Sequence, residues 1–204
     1  TVHVVSHAPQ GPSVGFRFFP NSSNIYSTIS FDNSGTIIAD RAIIALQGYQ
    51  ATMYLTNTGH IEGSLELDRG VNQITNAATG YWAGELTLGL YPDLFQNAGL
   101  VVGSISLRTG DDFYRGIGDG AVSESIYGGA GNDMLQGSNA DDRLSGDEGQ
   151  DWIMGGGGAD TLSGGSGGDT FVYSSLDEST ASRRDTITDF QTGVDRIDIS
   201  TLGA

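Results

Sequence analysis

Five nine-residue units follow one another without a gap between Gly128 and Val172. They begin at residues 128, 137, 146, 155 and 164 and read GGAGNDMLQ, GSNADDRLS, GDEGQDWIM, GGGGADTLS and GGSGGDTFV. The sixth position is always aspartate: Asp133, Asp142, Asp151, Asp160 and Asp169. The eighth is always large and apolar: Leu135, Leu144, Ile153, Leu162 and Phe171. A period of nine with one apolar residue is too short for a pair of helices, and it predicts a parallel β-roll.

Each unit predicts a six-residue turn and a three-residue strand whose middle side chain points inward. Two units close one coil, so units 128, 146 and 164 stack on one side and units 137 and 155 on the other. Glycine allows the turns to reach positive φ and to approach one another closely. Stacked turns present backbone carbonyls and carboxylates, an all-oxygen set that suits calcium. A flexible linker is the alternative for so glycine-rich a segment, but it would not repeat an apolar residue in register.

The units are similar to the calcium-binding nonapeptide G-G-x-G-x-D-x-U-x of the RTX (hemolysin-type) family. This resemblance implies that several Ca²⁺ ions lie between neighbouring turns and are held by the aspartates. The candidate metal-site residues are Asp112, Gly128, Gly129, Gly131, Asp133, Asn139, Asp142, Gly146, Glu148, Asp151, Gly155, Gly157, Asp160, Gly164, Ser166 and Asp169. Ser138, Ala140 and Asp147 replace expected glycines, so we expect altered turns in units 137 and 146.

A looser repeat of about twenty residues, the length of one β-helix coil, precedes the nonapeptides. The segments NTGHIEGSLEL from Asn57 and NAGLVVGSISL from Asn97 share their asparagine, glycine and apolar positions, and a third copy starts at Asn76. Alternating inward residues predict a parallel β-helix over residues 29–115, with asparagine amides stacked from coil to coil. The repeat resembles the N-x-G-x-I-x-G repeats of secreted β-helical adhesins.

The chain as a whole is therefore predicted to be an all-β, right-handed parallel β-solenoid. The β-helix is expected to run without a linker into a calcium-binding β-roll over residues 116–172, and Asp112 lies in a half-formed turn ahead of the complete units. Residues 1–28 are expected to form irregular strands or an N-terminal cap, and residues 173–204 a C-terminal capping segment.

The segment after Phe171 resembles the one that closes the β-roll in serralysin-type proteases and in the calcium modules of alginate epimerases. It reads DTITDFQTGVDRIDIS from Asp185 to Ser200. The residues expected to cover the open end of the roll are Ile187, Phe190, Val194, Ile197 and Ile199. Asp177, Asp185 and Asp189 form a possible terminal metal site, and solvated loop acids are the alternative.

Charge restricts the partners of this chain. Its formal net charge is -16, and it contains no lysine and no cysteine. An acidic roll repels itself without counter-ions, so calcium is the expected partner, while nucleic acid and anionic membranes are poor ones. No apolar run is long enough for a membrane span, and no disulfide can form. We expect a secreted or cell-surface location, and a chain cut from a longer protein because it opens at Thr1 without a leader.

The sequence contains no recognisable catalytic set. Gly164–Gly168 matches G-x-S-x-G around Ser166, but no histidine follows His60, so the usual order of a Ser–Asp–His triad fails. An aromatic face for sugar and simple core filling are both open for Tyr81, Trp82, Tyr91 and Phe95.

We therefore expect a non-catalytic calcium-binding module of a bacterial protein that folds on extracellular calcium, and the resemblance implies type I export. One alternative is the accessory C-terminal region of an extracellular enzyme that acts on polysaccharide or protein. Another is a carbohydrate-binding adhesin, for which extracellular polysaccharide or a cell surface would be the partner.

Overall fold

The computed structural model describes residues 2–4, 16–18, 28–45 and 52–202, and these residues form strands and turns without a helix. In chain order the strands are β1 Val2–Val4, β2 Phe16–Phe18, β3 Thr28–Asn33, β4 Thr36–Ala45, β5 Thr52–Asn57, β6 His60–Leu67, β7 Gln73–Asn76, β8 Tyr81–Ala83, β9 Leu86–Thr87, β10 Leu94–Asn97, β11 Leu100–Val102, β12 Ile105–Ser106, β13 Phe113–Gly116, β14 Ala121–Val122, β15 Ile126–Ala130, β16 Met134–Gln136, β17 Arg143–Gly149, β18 Trp152–Met154, β19 Thr161–Gly167, β20 Thr170–Val172, β21 Thr186–Ile187 and β22 Arg196–Asp198.

One side of the molecule is a ten-stranded sheet in the order β1-β3-β5-β7-β10-β13-β16-β18-β20-β22. Every pairing in it is parallel, so each coil of the chain adds one strand. Gln73 pairs with Leu94 and Leu94 with Phe113, spacings of 21 and 19 residues. Met134 pairs with Trp152 and Trp152 with Thr170, spacings of 18 residues. The predicted parallel β-solenoid, with longer β-helix coils and two nonapeptides per β-roll coil, is confirmed.

The long strand β6 divides the second sheet into two branches. Its first half, around Ile61, pairs with β8, and β11 and β14 follow in this branch. Its second half, around Leu65, pairs with β9, and β12, β15, β17, β19 and β21 follow. The coils that contain both branches have three faces. The first branch ends at β14, so the coils of the nonapeptide segment have only two faces and need fewer residues.

The core is a stack of inward side chains, each lying over the equivalent residue of the coil before. Along the ten-stranded sheet, Phe95 pairs in register with Tyr114, Tyr114 with Leu135, and Leu135 with Ile153. All four are fully buried. Trp82 is also fully buried, and its Nε1 donates a hydrogen bond to the carbonyl of Gly63 at 2.9 Å. Because one apolar residue per strand suffices, the turns between strands are free to carry polar groups.

A column of asparagines runs through the β-helix coils. The Nδ2 of Asn33 donates to Oδ1 of Asn57 at 2.8 Å, Asn57 to Asn76 at 2.9 Å, and Asn76 to Asn97 at 2.9 Å. All four residues are buried. The predicted stacking of asparagine amides is confirmed, and the column satisfies polar groups that burial would otherwise leave without a partner.

A capping segment is predicted at each end of the solenoid, and the structure describes much more of the C-terminal one than of the N-terminal one. Most of the expected N-terminal cap, residues 1–28, lies outside the described residues, and the domain boundaries at 28, 115 and 172 stay predictions. At the other end Ile187 packs against the core, and the ring of Phe190 lies 6.2 Å from that of Phe171. Val194, Ile197 and Ile199 are about half exposed, and Ile197 of β22 pairs in register with the fully buried Phe171. In the described part nothing packs beyond β22, and the capping role of this segment stays a prediction.

Candidate metal centre

The turns of the nonapeptides lie on opposite edges of the β-roll. We define the first row as turns 128–133, 146–151 and 164–169, and the second row as turns 137–142 and 155–160. Within the first row Gly129 pairs with Asp147, and Asp147 with Gly165. Equivalent positions of successive turns therefore lie one above the other, as the alternation of units predicted.

One oxygen of each turn aspartate joins the coils together. Asp112 donates its backbone N–H to Oδ1 of Asp133 at 2.8 Å, Asp133 to Asp151 at 2.8 Å, and Asp151 to Asp169 at 3.0 Å. In the second row Asp142 donates in the same way to Asp160 at 2.8 Å. Each of the acceptor aspartates thus uses one carboxylate oxygen to accept a hydrogen bond from the preceding coil.

The other carboxylate oxygen of most turn aspartates is buried without a hydrogen-bond partner. These oxygens are Oδ2 of Asp112, Asp133, Asp151, Asp160 and Asp169, and Oδ2 of Asp185 in the closing segment is in the same situation. Among them Asp112, Asp133, Asp151, Asp160 and Asp169 expose no more than 2 % of their surface. A buried carboxylate oxygen without a donor is costly, and native proteins pair such groups with a donor or a cation.

Burial also changes how readily these carboxyl groups ionise. Desolvation raises the pKa of Asp112 to about 8, and the charges of Asp133 and Asp93 add to the effect against one backbone hydrogen bond. Desolvation likewise raises the pKa of Asp151 and Asp160 to about 7, and that of Asp133 to about 6. The charges of neighbouring acids add to burial in raising these pKa values, so ionised turns that lie one above the other repel one another.

The first glycine of each complete turn leaves room for the free oxygen. A Cβ on Gly128, Gly146 or Gly164 would overlap Oδ2 of the aspartate five residues later. The same Cβ would lie 2.8 Å from the carbonyl oxygen of Gly146 in the first case, and 2.7 Å from that of Gly164 in the second. A carboxylate oxygen and a carbonyl oxygen of the next coil therefore meet beside a glycine, which is the hard oxygen donor set that Ca²⁺ prefers. The donor set fits the ion that the sequence predicted.

The turns with a free oxygen share an unusual backbone. Their second and fourth residues have positive φ: 105° and 143° at Gly129 and Gly131, 93° and 132° at Gly165 and Gly167. Asp147 takes the second position with φ of 75°, a conformation in which aspartate is tolerated better than most residues. Arg108 and Gly110 have the same two conformations, so residues 107–112 form a further turn of this type, one coil ahead of the repeats. Only its glycine and its aspartate match the repeat pattern.

The remaining candidate residues occupy more exposed places. Glu148 pairs in register with Ser166, and both side chains are exposed at the third position of their turns. Asn139 donates from Nδ2 to Oδ1 of Asp119 at 3.1 Å on the surface. A Cβ on Gly157 would lie 3.6 Å from Cα of Asn139, an ordinary van der Waals contact. The side chains of Glu148, Ser166 and Asn139 are thus exposed, and their part in binding an ion stays a prediction.

The three acids of the possible terminal site have different surroundings. Asp189 accepts hydrogen bonds from Oγ of Ser163 at 2.7 Å and from the N–H groups of Gly164 at 3.0 Å and Gly165 at 2.8 Å. Burial alone would raise its pKa, but these hydrogen bonds outweigh burial and lower it. Asp185 accepts from Asp160 N–H at 3.1 Å, while Asp177 is exposed. Protein donors thus satisfy the Asp189 carboxylate, which lies beside the last turn of the first row.

The described part of the chain contains no group of three or more His, Asp or Glu side chains arranged for a metal ion. Sites built from two carboxylates and several carbonyls do not form such a group. Of the aromatic residues considered for sugar binding, Trp82 and Phe95 are fully buried, so core filling is the correct interpretation for them. Tyr81 stacks on His60 with ring centroids 4.5 Å apart. None of the described residues belongs to a helix that could cross a membrane.

Comparison with known proteins adds one finding. Residues 96–204 match the family described as "Peptidase M10 serralysin C terminal". The match includes both rows of turns, residues 107–112 and the closing segment. No curated protein matches the chain.

Proposed function

Because the chain belongs to the serralysin C-terminal family, we propose that it is a non-catalytic, calcium-binding module of a secreted protein. The observation that carries this proposal is the line of buried, unpartnered oxygens on Asp112, Asp133, Asp151 and Asp169, each one coil from the next. The family match covers both the turns and the closing segment, which are the two parts of the sequence that carry the resemblance.

The turns of this chain are built to hold a cation between coils. Asp133, Asp151 and Asp169 each direct one oxygen to the preceding coil and leave the second beside a glycine. A bound calcium ion supplies positive charge that cancels the repulsion between these carboxylates. With that repulsion removed, the backbone hydrogen bonds between coils can form without an energetic penalty from unpaired charge.

Calcium binding by the folded form alone would make stability depend on calcium concentration. Extracellular calcium modules bind in the range of about 10⁻⁴–10⁻³ M, and we propose an affinity in that range. The roll would then stay unfolded at low calcium inside a cell and fold after export by the type I route. The absence of cysteine from the sequence agrees with export as an unfolded chain, since no disulfide has to form.

A second candidate concerns the protein from which the chain derives. The family description names a peptidase, which favours an extracellular protein-acting enzyme as the parent and this chain as its accessory C-terminal region. The carbohydrate-binding adhesin has less support, because two of its four aromatic candidates are buried.

Equilibrium calcium binding to the purified chain tests the proposal. We expect Asp151→Asn to weaken calcium binding by about tenfold or more, because the amide loses the charge that faces the ion, and tenfold equals about 1.4 kcal/mol. Glu124→Gln is the matched control, since it removes one charge from an exposed residue of the same region. Equal calcium affinity in Asp151→Asn and the unsubstituted chain would contradict the proposal.

A further inference from the structure

Two kinds of turn occur in the two rows and in the equivalent turns that precede and follow them. In an open turn the second and fourth residues both have positive φ, and the aspartate at the sixth position keeps a buried oxygen without a partner. The open turns are 107–112, 128–133, 146–151, 155–160 and 164–169. In a closed turn the N–H of the second residue donates instead to Oδ2 of the aspartate. The closed turns are 88–93, 137–142 and 190–195.

Turn 137–142 is closed although it belongs to a nonapeptide. Ser138 donates to Oδ2 of Asp142 from its N–H at 2.7 Å and from its Oγ at 3.1 Å. The same Oγ accepts the N–H of Ala140 at 3.0 Å. Asp142 keeps one unpartnered oxygen, Oδ1. Burial raises the pKa of the Tyr114 hydroxyl, and the charge of Asp142 adds to this effect.

The backbone conformation separates the two kinds of turn, because only the open turns have positive φ at both the second and the fourth residue. The fourth position of every open turn is glycine, with φ between 129° and 143°, a conformation that residues with a Cβ rarely adopt. In turn 137–142 this position holds Ala140, and in turn 88–93 it holds Tyr91. In turn 190–195 it is Gly193 with φ of 87°, but the second residue, Gln191, does not have positive φ. The second position of the open turns is glycine, Arg108 or Asp147, while Ser138 and Ala140 both keep negative φ. Turn 137–142 therefore cannot adopt the open backbone without strain.

We infer that a turn aspartate needs a cation only where the second and fourth residues both adopt positive φ, and that turn 137–142 needs none because Ser138 takes the place of the ion. This inference rests on the proposed calcium binding. It removes Asn139 and Asp142 from the ligands of a calcium ion, and it places ions only between successive open turns. The first row then holds ions from turn 107–112 to turn 164–169, whereas turn 137–142 closes the start of the second row.

The double substitution Ser138→Gly with Ala140→Gly tests this inference. We expect it to open the turn, and native mass spectrometry with calcium should count one more ion per chain than in the unsubstituted chain. Asp147→Gly is the matched control: it also places glycine at a second position, but that turn is already open, so the ion number should not change. An unchanged ion number in the double variant would overturn the inference.

Asp142→Asn provides an independent test that does not need the turn to refold. The amide oxygen can still accept the hydrogen bonds of Ser138, so we expect the number of bound ions to stay the same. Loss of an ion in this variant would overturn the inference while leaving the proposed function intact. If the unsubstituted chain binds no calcium at all, both the inference and the proposed function are overturned.

Discussion

At the scale of single residues, the two oxygens of each turn aspartate have separate tasks. One accepts the N–H of the preceding coil, as Oδ1 of Asp151 does from Asp133 at 2.8 Å. The other lies beside the first glycine of its own turn, where a side chain would displace it. The glycine at the first position is thus required by the carboxylate and not by its φ, whereas the glycines at the second and fourth positions are required by the backbone.

Gly146→Ala separates these two requirements. Gly146 does not have a positive φ, so alanine can adopt its backbone, but the new methyl group overlaps Oδ2 of Asp151. We expect a loss of stability of roughly 1–3 kcal/mol, as for other overpacked sites, and weaker calcium binding. Gly157→Ala is the control, because the new methyl group would lie 3.6 Å from its nearest non-adjacent atom, an ordinary van der Waals contact. Urea unfolding in calcium should distinguish the two, and similar behaviour of both variants would contradict this account.

At the scale of elements, the two parts of the solenoid are joined by different polar columns. The β-helix coils are tied by the amides of Asn33, Asn57, Asn76 and Asn97, which are neutral and satisfy one another. The β-roll coils are tied by aspartates, which are charged and leave one oxygen unpaired. The β-helix should therefore be stable without calcium, while the roll should depend on it.

Asn76→Ala should destabilise the β-helix independently of calcium. It removes the acceptor of Asn57 Nδ2 and the donor to Asn97 Oδ1, so two buried amides lose a partner. We expect a loss of roughly 2–4 kcal/mol in the free energy of unfolding, measured with urea both in calcium and in chelator. Gln96→Ala replaces a half-buried, outward residue of the neighbouring strand and should change the free energy of unfolding by less than about 0.5 kcal/mol. A loss for Asn76→Ala that appears only in calcium would contradict the division of roles.

Much of this arrangement could be predicted from the sequence because its signals are local and repeated. Apolar residues such as Leu135 and Ile153 recur in register, and the asparagines of the β-helix mark one corner of each coil. The division of the coils into three faces could not be predicted, since it depends on how β6 pairs with both β8 and β9. The closed turn at Ser138 depends on a hydrogen bond that the repeat pattern does not contain. How much of Ile197 and Ile199 stays exposed could not be predicted either, because alternation gives a face but not what covers it.

At the scale of the whole molecule, charge sets the conditions under which the solenoid is stable. Most of the turn aspartates have raised pKa values, chiefly because of burial, so the folded form binds protons more tightly than the unfolded chain. For a raised pKa, the stability contributed by protonation is present below the ordinary value of 3.8 and is lost as the pH rises through the folded value. In this chain that loss begins above pH 3.8 and is complete by about pH 6 for Asp133 and about pH 8 for Asp112.

Without calcium, the chain should therefore be more stable at pH 5.5 than at pH 8. Urea unfolding in excess EDTA should show a higher midpoint at the lower pH, because the protonated carboxyl groups no longer repel one another. With saturating calcium the difference should shrink or reverse, since protons then compete with the ion for the same oxygens. A midpoint in EDTA that rises from pH 5.5 to pH 8 would contradict the assignment of the buried carboxylates.

The most direct test of calcium as the element that allows the roll to stack is a calcium titration followed by far-UV circular dichroism, starting in chelator at pH 8. We predict a cooperative gain of β-signal with Ca²⁺ and none with Mg²⁺, because the smaller ion demands a tighter octahedral shell than stacked turns offer. A residual β-signal in chelator should come from the β-helix coils. A full β-signal in chelator that calcium does not change would contradict the account, because the buried carboxylates would then be accommodated without an ion.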